Sequence, residues 1–133
     1  MKFHDTPLYT AEQIQRRVAE LGAEISTAMA GREVLMLTVL KGAVLFGADL
    51  MRHLTVPLRI DFIGARSYCG TCSQGKVEFT YLPQEDCRGR HVLLVEDIID
   101  TGRTAQATLD HLNAQNPAGV TLCTLLDKPS RRE

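Results

Sequence analysis

No sign of charge dominates this chain of 133 residues: 15 Lys and Arg stand against 16 Asp and Glu, a formal net charge of -1. Bulk electrostatics therefore gives no pull toward nucleic acid or an anionic membrane surface, and any anion site has to be built locally. Long apolar runs are lacking too. The longest are about six to eight residues, far short of the roughly 20 that a membrane-spanning helix needs, and Met1 to Thr10 contains no apolar signal-peptide core. These absences predict a cytoplasmic protein with neither a membrane nor a nucleic acid as partner. Cysteine is sparse, at Cys69, Cys72, Cys87 and Cys123, and without an export signal the four are expected to stay reduced. Internal repeats, low-complexity tracts and linkers are absent from the sequence as well.

What is present is an apolar fraction of 44% in a length close to that of one typical domain. A single domain over residues 1–133 is expected, able to bury roughly two thirds of the surface its unfolded chain would expose. Thr10-Ala11-Glu12-Gln13 fits a capping box, and Ile14, Val18, Leu21 and Ile25 then recur at helical spacing until Gly31. Val34 to Leu40 is short and continuously apolar, the pattern of a strand buried on both faces. Lys41-Gly42 breaks it, Ala43 to Leu54 resumes a helical pattern, and Leu58 to Ile63 alternates like a strand. Ala65 to Gln74 turns to Ser, Gly, Thr and Cys and reads as a mobile loop, followed by a short edge strand from Val77 to Leu82. Val92 to Val95 is a second buried strand running into an acidic turn. A helix from Thr104 to Asn113 and a last strand from Val120 to Leu126 complete the pattern. The fold class is therefore α/β, a mostly parallel central sheet with helices on both faces. In such sheets ligands bind beyond the carboxyl ends of the strands, where Leu40 to Gly42 and Glu96 to Thr104 lie.

The second of these segments carries most of the chemistry. Glu96, Asp97 and Asp100 sit within five residues at the mouth of a buried strand, where mutual repulsion opposes full ionisation unless a cation or hydrogen-bond donors face them. Thr101-Gly102-Arg103-Thr104 opens the next helix, so backbone N–H groups, two hydroxyls and the positive helix end converge on a place suited to a phosphate dianion. A phosphorylated sugar would satisfy both halves. Two rival readings exist: a solvated acidic turn before an ordinary N-capped helix, and an aspartic protease, whose Asp-Thr-Gly tripeptide recurs at Asp100-Thr101-Gly102. The helix that follows directly and the lack of a flap hairpin argue against the protease. No G-x-G-x-x-G or G-x-x-x-x-G-K-[ST] occurs, which leaves dinucleotide and nucleoside-triphosphate loops unsupported.

Val92 to Thr104, VLLVEDIIDTGRT, resembles the phosphoribosyl-pyrophosphate signature of type I phosphoribosyltransferases, in the hypoxanthine-guanine branch. Leu40-Lys41-Gly42 resembles that family's pyrophosphate loop, Ser67-Tyr68 its catalytic flap, and Asp127-Lys128 through Arg132 its purine-recognition segment. The resemblance implies transfer of a 5-phosphoribosyl group from phosphoribosyl pyrophosphate to N9 of a 6-oxopurine, with Mg²⁺ on the pyrophosphate, through an oxocarbenium-like transition state. By the same likeness Glu96 and Asp97 engage the ribose hydroxyls or the metal, and Asp100 faces N7 of the purine. Thr101, Gly102, Arg103 and Thr104 hold the 5-phosphate, although Arg103 is equally read as a solvent-facing side chain. Lys128 donates to O6. Arg132, Lys41 and Gly42 serve the pyrophosphate, with a cis peptide in that loop.

The resemblance also raises a contrary expectation. The family continues past the position of Glu133 with a strand bearing a purine-stacking aromatic and, later, a magnesium-binding aspartate, so the chain reads as truncated and weak or inactive. A ligand sensor on the same fold is the alternative to an enzyme. An open sheet edge would favour self-association as a dimer or tetramer. Cys69-Gly70-Thr71-Cys72 has redox or metal-ligand spacing; a zinc site would need Cys87 or His91 as further ligands, and reversible oxidation would lock the flap. His4, His53, His91 and His111 show no ligand spacing and are expected at the surface.

Overall fold

The computed structural model describes residues 6–68 and 76–133. Helix α1 (Ala11–Ala28) begins on the expected capping box: the Thr10 side chain accepts from the Gln13 N–H at 3.1 Å and the Gln13 side chain accepts from the Thr10 N–H at 2.7 Å. Strand β1 (Val34–Leu40) has the expected bounds, and α2 (Val44–Met51) ends three residues before the helical pattern does. Then come β2 (Leu58–Tyr68), β3 (Lys76–Tyr81), β4 (His91–Ile99), α3 (Arg103–Asn113), β5 (Gly119–Asp127) and a 3-10 turn, Pro129–Arg131. The strands form one sheet in the order β3-β2-β1-β4-β5, parallel throughout except for the antiparallel edge strand β3. The α/β reading of the sequence is borne out.

Alternation along β1 and β4 divides the core between the two faces. Val34, Met36, Leu93 and Val95 pack with Val18, Ile25, Phe46 and Leu50 of α1 and α2. Leu35, Leu37, Val92 and Leu94 pack with Leu112 of α3 and with Cys87. Residues buried on both faces leave no room for polar alternation, so these strands read as unbroken apolar runs. Thr38 in β1 and Asp61 in β2 are buried polar residues of the sheet. The Asp61 carboxylate accepts from the Phe62, Gln84 and Glu85 N–H groups at 2.7, 2.8 and 2.8 Å and so ties the segment after β3 to the sheet.

Two strands run further than composition suggested. Ala65 to Tyr68, expected as loop, extend β2, because after a register shift at Gly64/Ala65 they pair antiparallel with Phe79, Glu78, Val77 and Lys76. Glu96 to Ile99, expected as an acidic turn, extend β4 alongside β5, where Glu96 pairs with Thr124 and Ile99 with Asp127. In both cases cross-strand hydrogen bonding overrides polar composition. His53 is exposed as expected, whereas His91 and His111 are half-buried, the latter with its ring 4.7 Å from that of Phe79. Cys87 and Cys123 are buried free thiols. The expectations for His4, Cys69 and Cys72, and for the loop up to Gln74, fall outside the described residues. Among the described residues no helix is long and apolar enough to cross a membrane.

Candidate active site

A cavity of about 380 Å³ opens beyond the carboxyl ends of β1 and β4, where parallel-sheet topology puts ligand sites. Gly42, Ser67, Glu96, Asp97, Asp100, Thr101, Gly102 and Thr104 all line it. The acidic pair and the hydroxyl turn therefore face one space. Lys41, Arg103, Lys128 and Arg132 are exposed around it without lining it. Side-chain geometry for Tyr68 lies outside the described residues. The Leu40–Lys41 peptide is cis, as the family likeness implies.

Close approach explains the glycine after it. A Cβ on Gly42 would stand 2.6 Å from Asp97 Oδ2, so only a hydrogen at that position lets the β1 loop pass against the Asp97 carboxylate. Asp97 Oδ1 in turn accepts from the Ile98 N–H at 2.8 Å, and Glu96 Oε1 from the Asp97 N–H at 3.1 Å. Each acid thus has one oxygen engaged by the backbone. Burial, followed by the hydrogen bond with Asp97, pushes the Glu96 carboxyl up from 4.5 to about 8. A folded-state value above the unfolded one contributes stability that is complete below about pH 4.5 and is lost as pH rises through about 8. Glu96→Gln, which cannot ionise, is therefore expected to match the wild-type thermal midpoint near pH 5 and to exceed it above pH 8. Solvent around a half-buried carboxyl limits the gain to about 1 kcal/mol, or roughly 2–4 °C. Melting curves across pH check this, and a difference independent of pH rejects it.

The turn into α3 is shaped by Gly102, the N-cap residue, whose φ of 89° lies in the left-handed region. It provides no side-chain cap, so beyond the Arg103 N–H the first-turn N–H groups of Thr104 and Ala105 are left for a ligand. Arg103 N–H bonds Thr101 Oγ1 at 3.3 Å, and Ser67 Oγ lies 3.1 Å from Thr104 Oγ1, which joins the end of β2 to the start of α3 across the cup. Arg103 is exposed and pairs with the Glu133 side chain, in agreement with the solvent-facing reading.

The stretch after β5 returns along the same turn. Lys128 N–H donates to Ile99 O at 2.9 Å and Glu133 N–H to Thr101 O at 2.9 Å, while Arg132 pairs with Asp127 and donates to Asp100 O at 3.4 Å. Arg131 Nε donates to Asp100 Oδ1 at 3.2 Å. Sequence reasoning singled out Arg132 and passed over Arg131, and it missed the Ser67–Thr104 bridge. Both are pairings over more than 30 residues with no local signature.

Known proteins resemble this arrangement. The family model of the phosphoribosyl transferase domain matches residues 6–133. The chain belongs to that family. Hypoxanthine phosphoribosyltransferase of Haemophilus influenzae is 42% identical over 136 residues, covering 99% of this chain and 76% of that protein. Hypoxanthine-guanine phosphoribosyltransferase of Mycobacterium tuberculosis is 45% identical over 129 residues, covering 92% and 64%. A crystal structure of a hypoxanthine-guanine phosphoribosyltransferase from Bacillus anthracis with HEPES in the active site superposes with a TM-score of 0.93 at 41% identity, covering all of this chain and 79% of that one. This chain thus spans between 64% and 76% of the length of these two curated phosphoribosyltransferases.

Proposed function

We propose that residues 1–133 act as one phosphoribosyltransferase domain in purine salvage, moving the 5-phosphoribosyl group of phosphoribosyl pyrophosphate to N9 of hypoxanthine or guanine. The products are IMP or GMP and pyrophosphate. The observation that carries this reading is the shared cavity of the Glu96–Asp97 pair and the Thr101–Thr104 turn. Hydroxyls of a ribose can donate to the acids while the 5-phosphate takes the N–H groups and hydroxyls of the turn, which fixes C1 for attack. As the bond from C1 to pyrophosphate breaks, positive charge grows on the sugar; Asp97 and the polar oxygens of Glu96, which gives up its proton only at about pH 8 in the free protein, stabilise it. Asp100, at the same cavity, accepts the proton that leaves N7 as N9 bonds to C1. Lys128 donates to O6 of the base; the amino group of adenine at that position offers no such acceptor, so 6-oxopurines are preferred.

The donor set also suits Mg²⁺. No group of three or more His, Cys, Asp or Glu is placed to hold a metal ion among the described residues, but Glu96 and Asp97 each have one oxygen outside the backbone bonds. Once the Glu96 proton is released, two such hard oxygens fit a cation that keeps most of its shell as water and substrate phosphate. Bound there, Mg²⁺ would neutralise charge on the leaving pyrophosphate. Arg132, Lys41 and the Gly42 amide would flank that group, and the Ser67-Tyr68 flap would close over the site and exclude water. Self-association as a dimer or tetramer belongs to the same proposal, since β5 ends the sheet with an open edge among the described residues.

Incubation with phosphoribosyl pyrophosphate, Mg²⁺ and either hypoxanthine or guanine is expected to release pyrophosphate and form the nucleotide, with adenine inert. Absence of product from both oxopurines, beside an active relative, rejects the proposal for this chain.

A further inference from the structure

The stretch 128–133 arches back over 99–101, anchored at its two ends, and its side-chain contacts converge on Asp100. Arg132 holds the main-chain carbonyl of Asp100 and Arg131 holds its carboxylate. The backbone on either side is fixed as well, by Lys128 N–H to Ile99 O and Glu133 N–H to Thr101 O, both at 2.9 Å. The 3-10 turn Pro129–Arg131 sets the direction from which Arg131 arrives. Its Nε takes only Oδ1, at 3.2 Å, and Asp100 Oδ2 has no donor among the described residues. Both side chains are about half exposed, at 65% for Arg131 and 47% for Asp100. Without the pair, the carboxylate would be free to rotate at the cavity mouth.

We infer that Arg131 is a positioning residue for the transfer reaction: it grips one oxygen of Asp100 and presents the other to the purine. This rests on the proposed function, in which Asp100 accepts the proton from N7. A directional Nε–H bond fixes the plane of the carboxylate, and an acceptor already aimed at its proton loses less freedom on reaching the transition state. A guanidinium on Oδ1 also keeps that oxygen from competing for the base. The pair is a surface one, so the effect is modest. Exposed ion pairs couple by up to about fivefold in an equilibrium constant, and about threefold is expected here.

The test is a kinetic double-mutant cycle on the full chain. Arg131→Gln is expected to lower kcat about threefold while the KM values for hypoxanthine and phosphoribosyl pyrophosphate stay within about 1.5-fold, and Arg131→Lys, which keeps the charge without a fixed N–H direction, is expected to recover only part of the loss. On an Asp100→Asn background Arg131→Gln should do nothing further, because the group it positions is gone. A purely structural role would instead lower kcat by the same factor on both backgrounds, and a direct role toward pyrophosphate would raise the KM of phosphoribosyl pyrophosphate; either result overturns the inference. If Asp100→Asn reduces turnover and Arg131→Gln does not, this inference alone falls. Failure of the wild-type chain to turn over either oxopurine removes the proposed function, and this positioning role with it.

Discussion

Asp100→Asn is expected to lower kcat about 100-fold while changing the KM for either substrate by no more than about threefold. General-base groups of this kind contribute about 10²- to 10⁴-fold, and the lower end applies here because the carboxylate is half exposed and a water could take over part of its work. Asparagine keeps the size and one carbonyl oxygen, so purine and sugar phosphate still find their places. It cannot take a proton at neutral pH. The substitution also removes the ion pair with Arg131, worth at most about 1 kcal/mol at an exposed site, so the thermal midpoint should move by only a few degrees. Steady-state kinetics with hypoxanthine as the varied substrate separate the outcomes. Equal losses in kcat and in binding would mean that Asp100 holds substrate rather than reacting with it.

Gly102→Ala is expected to raise the KM for phosphoribosyl pyrophosphate tenfold or more. Two effects combine at this position. Its φ of 89° is a left-handed conformation that costs an alanine about 1 kcal/mol or more. The added Cβ would also stand 2.9 Å from Arg132 Cδ, closer than carbon atoms approach. Arg132 has little freedom to retreat, because its guanidinium is held by Asp127 and the Asp100 carbonyl. Relief therefore comes from opening the turn, which disperses the N–H groups and hydroxyls meant for the 5-phosphate. Small displacements of such groups are costly because binding there depends on several donors converging on one point. Gly89→Ala serves as the control. Gly89 has a φ of 69° with nothing within 4 Å of an added Cβ, so it should lose stability by a similar backbone cost and leave the KM unchanged. A Gly102→Ala enzyme whose KM stays within twofold of wild type would mean that the turn is not the phosphate cradle.

The apolar runs Val34–Leu40 and Val92–Val95, the capping box at Thr10 and the helical spacing of Val18 and Ile25 each state a local preference that packing then reinforces, so the alternation of strands and helices was legible from the sequence alone. The composition of Glu96 to Thr104 likewise made this segment the candidate site, since acids, hydroxyls and a helix start occur together there. Other features depended on partners distant along the chain. Glu96 to Ile99 became strand because β5 lies beside them, and Ala65 to Tyr68 because β3 does. The exposure of Asp97 to the Gly42 loop, the bridge from Ser67 to Thr104, and the contact of Arg131 with Asp100 join residues 37, 31 or more than 50 positions apart, as numbered in the sequence. Hydrogen bonds and close contacts fall off within a few ångströms, while sequence patterns report only neighbours along the chain. The sequence by itself determined which residues are candidates for the proposed sugar-phosphate site; tertiary structure decided which of them meet at one cavity, because only folding brings the ends of β1, β2 and β4 and the stretch after β5 to one mouth.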